Sequence, residues 1–162
     1  MPNYPQHQHR GGPGRPAGHG GFGGAGAASS PPRSVVSPAD AQRIIADGDA
    51  QLLVERAQEL AQAGATRTSL RRLYGEVRQI EAVWRDPSRQ KEAERRVVLF
   101  APRLAYQASR SRELGPVRQA LDPLLAEVRQ APEKDRPERF RHFVDFFEAV
   151  IAYAREDREG AR

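Results

Sequence analysis

Arg67, Arg71, Arg78 and Arg85 are spaced by four and seven residues, which on a helix turning about 100° per residue lines them up in one stripe. Tyr74 falls among them. Arg89, Arg96, Arg103 and Arg110 then recur every seven residues, a spacing that drifts only about 20° per step from true alignment. Aligned guanidinium groups offer rigid, forked donors to successive phosphates, and an aromatic neighbour offers a face on which a base can stack. A charged helix face is ordinarily just solvated. Two such ridges in consecutive segments, where the positive charge is concentrated, favour a polyanion-binding surface instead.

Other chemistry is poorly supported. There is no cysteine, so disulfides, thiolate metal sites and thiol nucleophiles are excluded. Asp145 and Glu148 stand three apart and could be imagined as paired acids. Arg141 lies four residues before Asp145, so an ordinary surface ion pair is expected there. His142 is the one histidine outside the N-terminal segment; it fits no metal-ligand pattern and is expected on the helix surface or in a polar contact. His7, His9 and His19 lack a scaffold. Ser69 and Ser109 have no base nearby in sequence and are expected as caps. No glycine-rich loop sits between a strand and a helix. The expectation is a protein with no catalytic residues, no metal and no cofactor.

The charge and composition say which elements must hold the arginines. Of 26 basic residues 24 are arginine, and residues 66–118 carry thirteen basic against six acidic side chains, while 37–65 and 119–162 are both net acidic. Residues 1–34 hold nine of the fourteen glycines and six of the thirteen prolines. Such a segment has little to bury and cannot offset its ordering entropy. Residues 1–36 are therefore expected to be a disordered Gly/Pro/Arg-rich tail, and 37–162 a helical domain. Apolar runs such as "VVLFA" at 97–101 fall well short of the roughly 20 residues of a membrane span, so a soluble, cytoplasmic protein is expected.

Helix signals dominate from Ser37 onward. "SPAD" reads as a capping box, with Gly48 ending a short helix; Asp49 caps "AQLLVERAQELAQA", which stops at Gly64. A third helix starts after Thr66 or Thr68 and ends at Asp86-Pro87. Its apolar stripe is Leu70, Leu73, Val77, Ile80 and Trp84, roughly 120° round from the arginines. A fourth runs from about Ser88 to Arg110, with a kink expected at Pro102 and an apolar set of Val97, Ala101, Leu104 and Ala108. Gly115-Pro116 opens a fifth, bent at Pro123. "DRPE" at 135–138 reads as a second capping box for the last helix. In that helix Phe140, Phe143, Val144, Phe147, Val150, Ile151 and Ala154 mark one buried face, with Phe146 and Tyr153 at its edge. The expected fold is all-α, a compact bundle of about five to six helices.

"TRTSLRRLYGEVRQIE" at 66–81, "LFAPRLAYQASR" at 99–110, "ALDPLLAEV" at 120–128 and "RFRHFVDFFEAVIAYAR" at 139–155 together resemble the small helical subunit of type III-A CRISPR-Cas (Csm) effector complexes. The match spans most of 40–155, and "FVDFFEAVIAY" is its most specific part. The resemblance implies a non-catalytic subunit of a crRNA-guided ribonucleoprotein in antiviral defence. Its implied partners are crRNA and target RNA, the other Csm subunits and stacked copies of itself. By position Arg71 corresponds to the basic residue of the family's "T-x-[ST]-x-[LI]-R" pattern, and Arg103 and Arg110 to those of "P-[KR]-L-A-Y-x-x-x-R". Ser109 stands where the family pattern has glycine. A guide already reads sequence by pairing, so such a subunit needs only backbone contacts. The candidate RNA-contacting set is Arg67, Arg71, Arg72, Tyr74, Arg78, Arg96, Arg103 and Arg110. The competing reading is a helical scaffold subunit whose arginines make only protein-protein ion pairs.

Overall fold

The computed structural model describes residues 33–154. The expected tail up to residue 32 lies outside the described residues, as do residues 155–162. Among the described residues all regular structure is helical, as the periodicity implies, and none of the helices is long and apolar enough to cross a membrane.

The helices begin where short polar side chains can satisfy free N–H groups. In α1 (Pro38–Ala41) the Ser37 hydroxyl accepts from Asp40 N at 3.1 Å while Ser37 N donates to the Asp40 carboxylate at 3.2 Å. A π-helical turn, Gln42–Ala46, continues α1 and ends at Gly48, whose φ of 69° few other residues adopt. Asp49 caps α2 (Ala50–Ala61) and Thr66 caps α3 (Arg67–Trp84). A 3₁₀ turn leads into α4 (Gln90–Arg110), which continues unbroken through Pro102. Helix α5 (Gly115–Gln130) likewise runs through Pro123.

At α6 (Arg136–Tyr153) the expected capping box is absent. Asp135 has helical dihedrals within a preceding 3₁₀ turn, and its side chain accepts no cap hydrogen bond. Ser69 and Ser109 are not caps either. The Ser69 hydroxyl donates to the Glu113 carboxylate, and Ser109 Oγ donates to the Tyr106 carbonyl at 2.7 Å.

Helices α3, α4, α5 and α6 form a ring in which each packs on the next and α6 closes on α3; α2 and the α1 segment pack on α5 and α6. Helix α6 is thus covered from two directions. Phe140, Phe143, Val144, Phe147 and Val150 are buried as expected, but so is Phe146, with 0% exposure. The second covering layer takes in the side chain that one packed neighbour would leave at the edge. Phe143 stands at the centre, its ring centroid 6.3 Å from that of Phe100 on α4 and 5.7 Å from that of Phe140, which in turn lies 5.0 Å from Trp84 of α3. All five residues of the expected α3 stripe are buried, and every buried residue among those described is apolar.

The residues just before α1 also touch the bundle. Val36 is buried in the core, Val35 packs against it, and the Ser34 hydroxyl donates to the Gln119 carbonyl at 3.0 Å. This adjacent apolar pair gains burial by packing on the bundle.

Candidate nucleic-acid interface

Helix α3 presents its core stripe to the bundle centre and is flanked by α4 on one side and α6 on the other. Its arginines consequently divide. Arg72 lines a groove against α4, together with Glu76 and with Arg103, Tyr106, Gln107 and Arg110 of that helix, enclosing about 830 Å³. A second groove of about 440 Å³ continues along the same pair of helices, past Gln79, Arg95, Arg96 and Leu99, and shares Glu76 and Arg103 with the first. The two make one basic channel along the α3–α4 wall, the side away from α1 and α2.

Arg72, Arg95 and Arg103 are exposed and have no hydrogen-bond or ion-pair partner among the described residues. Arg110 donates to the Tyr106 hydroxyl at 2.8 Å and holds its guanidinium carbon 5.7 Å from the centroid of that ring. Arg96 pairs with Glu92 at 2.6 Å, and Arg89 pairs with the same carboxylate at 2.8 Å. The hydrogen bonds from Arg89 and Arg96 hold the Glu92 carboxyl below the usual carboxylate range.

The other candidates lie outside this channel. Arg67 is half-buried, and its Nη2 donates to the Ala154 carbonyl at 3.0 Å, tying the start of α3 to the end of α6. Tyr74 is half-buried too: its hydroxyl donates to the Glu148 carboxylate and its ring centroid lies 5.7 Å from that of Phe147. Burial first, and then the Glu148 carboxylate, push its hydroxyl pKa up to about 12. Arg78 pairs with Glu81 and sits 6.0 Å from the Tyr74 ring. Arg71 is exposed on that same stripe and has no partner among the described residues. Arg78 and Arg85 line a separate groove with Glu81, Arg141, Asp145 and Glu148. The two ridges therefore lie on different walls of the bundle, and Arg72, outside the α3 ridge, is the α3 arginine that joins the α4 ridge.

The anticipated Arg141–Asp145 ion pair is absent; burial and the neighbouring Glu148 carboxylate instead push the Asp145 carboxyl up. His142 makes a tertiary contact, its Nδ1 lying 2.8 Å from the Ile45 carbonyl. Sequence reasoning missed Tyr106 and Arg95 as groove residues. Their signal was present, since positions 92, 95, 96, 99, 103, 106 and 110 follow the three-and-four spacing of one helix face.

Fold and surface together define a small all-helical protein with a basic inter-helix channel. Among the described residues no cluster of His, Asp or Glu side chains could hold a metal ion. The sequence model of the Csm2 Type III-A family matches residues 47–159, most of the chain, and the chain belongs to that family. It is accordingly a small Csm subunit of type III-A CRISPR-Cas. Comparison with curated proteins and with solved structures gives no match.

Proposed function

We propose that this subunit holds RNA against the α3–α4 wall of the effector complex, without sequence preference and without chemistry of its own. The observation that carries this reading is the shared groove of Arg72, Arg103 and Arg110, where the first two guanidinium groups are unpartnered among the described residues. Arginine forks left in solvent beside one another repel, and a phosphate backbone relieves that repulsion while releasing counterions. Arg96 extends the track, and Arg95 adds a charge that the sequence pattern alone did not single out. The RNA is the crRNA or its target, and the setting is cytoplasmic antiviral defence.

The α3–α6 wall suits a protein neighbour better. Its Arg78, Arg85 and Arg141 alternate with Glu81, Asp145 and Glu148, a mixed pattern that complements a mixed surface and offers no continuous path to a polyanion. We assign it to packing against the repeated backbone subunits or the next stacked copy. This retains the scaffold reading for one wall only.

The test is RNA affinity over a salt series, with the full chain and with the assembled complex. Each phosphate contact contributes a slope of about −0.7 in log affinity against log salt. Changing Arg72 and Arg103 together to alanine is expected to flatten the slope by about 1.4 with helicity unchanged. An unaltered slope in both settings would sink the RNA role of this wall.

A further inference from the structure

We propose that the wider end of the α3–α4 channel is a base-stacking pocket, in which Tyr106 receives one unpaired nucleobase of a single RNA strand. This rests on the RNA reading of the wall and adds to it the part of the nucleotide that each residue meets. Tyr106 is 61% exposed, the most exposed of the large apolar side chains among the described residues, although it lines a groove between two packed helices. Its ring is nevertheless held. Arg110, one turn on, bonds its hydroxyl at 2.8 Å and lies 5.7 Å from the ring centroid. A tyrosine so fixed loses little further freedom when a flat partner settles on its open face, and the adjoining cation favours an electron-rich ring system.

The charges around it sort phosphate from base. Arg72 and Arg103 are exposed on the two helices that border the groove. Glu76 lies deeper: its Oε1 accepts from Gln107 Nε2 at 3.1 Å, and its Oε2 is buried without a partner among the described residues. A carboxylate at the floor repels phosphate from the middle of the groove and leaves phosphate to the arginines at the edges. What remains beside Tyr106 is space for an uncharged, planar group. A groove of about 830 Å³ accommodates a nucleotide. Stacking is indifferent to base identity, which agrees with a surface that must accept any target. A fully paired duplex presents no such base, so the pocket discriminates strand state rather than sequence.

The experiment measures binding of the full chain to a single-stranded RNA of mixed sequence carrying 2-aminopurine, and to the same RNA annealed to its complement. Tyr106→Ala is expected to weaken single-strand binding about ten-fold and to abolish the quenching of 2-aminopurine, while duplex binding stays unchanged. Tyr106→Phe, which keeps the ring and loses the hydrogen bond from Arg110, is expected to keep the quenching and to lose only a small part of the single-strand affinity. The Arg72→Ala, Arg103→Ala double variant weakens both RNAs, because its losses are phosphate contacts. If that double variant weakens binding and Tyr106→Ala does not, the stacking pocket is wrong while the RNA wall stands. Equal losses on single strand and duplex from Tyr106→Ala also overturn the pocket. If neither variant matters, both readings fall. Unchanged RNA binding with poorer incorporation of Tyr106→Ala into the effector complex gives the groove to a protein partner. Tyr106 is exposed, so unchanged thermal unfolding of its variants checks that none of these results reflects misfolding.

Discussion

At the residue scale, the same side-chain type serves unlike purposes depending on what the fold brings beside it. Arg67 and Arg72 are both arginines near the start of α3, yet one is drawn to the Ala154 carbonyl, 87 positions away in the chain, and the other lies along the groove. Spacing along one helix could not reveal the first, because the partner belongs to another helix. Tyr74 illustrates the same point. It was legible as an aromatic among arginines, but its hydroxyl faces Glu148 and its ring packs on Phe147. That environment leads to a prediction. A tyrosine whose folded pKa is raised from 10 to about 12 keeps its proton in the folded state after the unfolded chain has lost it. Its contribution to stability is therefore full below pH 10 and is lost as pH rises from 10 to 12. Urea denaturation below and within that window is expected to show a smaller alkaline loss for Tyr74→Phe than for the wild type. Parallel losses in the two proteins would mean that Tyr74 titrates as if in water.

At the element scale, most of the fold was legible. Helix existence, order and core faces follow from the apolar period, and the caps at Ser37, Asp49 and Thr66 follow from the chemistry of free N–H groups. The errors arise where tertiary neighbours decide. Asp135 lies inside a 3₁₀ turn with helical dihedrals, so its carboxylate cannot take the pose that a capping box needs. Phe146 looked marginal because a single amphipathic stripe assumes one neighbour, whereas α6 has α2 on one side and α3 and α5 on the others. Both Phe143 and Phe146 have 0% exposure. Truncating a buried phenylalanine to alanine costs about 3–5 kcal/mol from lost transfer energy and the remaining cavity. Phe146→Ala is accordingly expected to destabilise by as much as Phe143→Ala in chemical denaturation. A loss below about 1 kcal/mol would place Phe146 at an edge after all and separate α2 from the bundle core.

At the scale of the whole molecule, composition located the positive charge in residues 66–118 but could not say how it divides over the surface. The division follows from the ring of helices. With α1 and α2 laid over α5 and α6, the α3–α4 wall remains open, and α3 contributes to two walls at once. The outcome is a channel with Arg72, Arg95 and Arg103 unpartnered among the described residues, and a separate mixed wall on which Arg78 and Arg85 share Glu81. If the walls serve different partners, their arginines must be separable by experiment. Arg78→Ala with Arg85→Ala is expected to leave the salt slope of RNA binding unchanged and to lower incorporation into the effector complex, measured by co-purification with the other Csm subunits. The ion pairs removed are partly exposed, and exposed pairs contribute only about 0–1 kcal/mol each, so the fold should persist with little change in unfolding midpoint. A slope flattened as much as by the Arg72 and Arg103 variants would instead mean that RNA crosses both walls, and the division of labour between them would have to be abandoned.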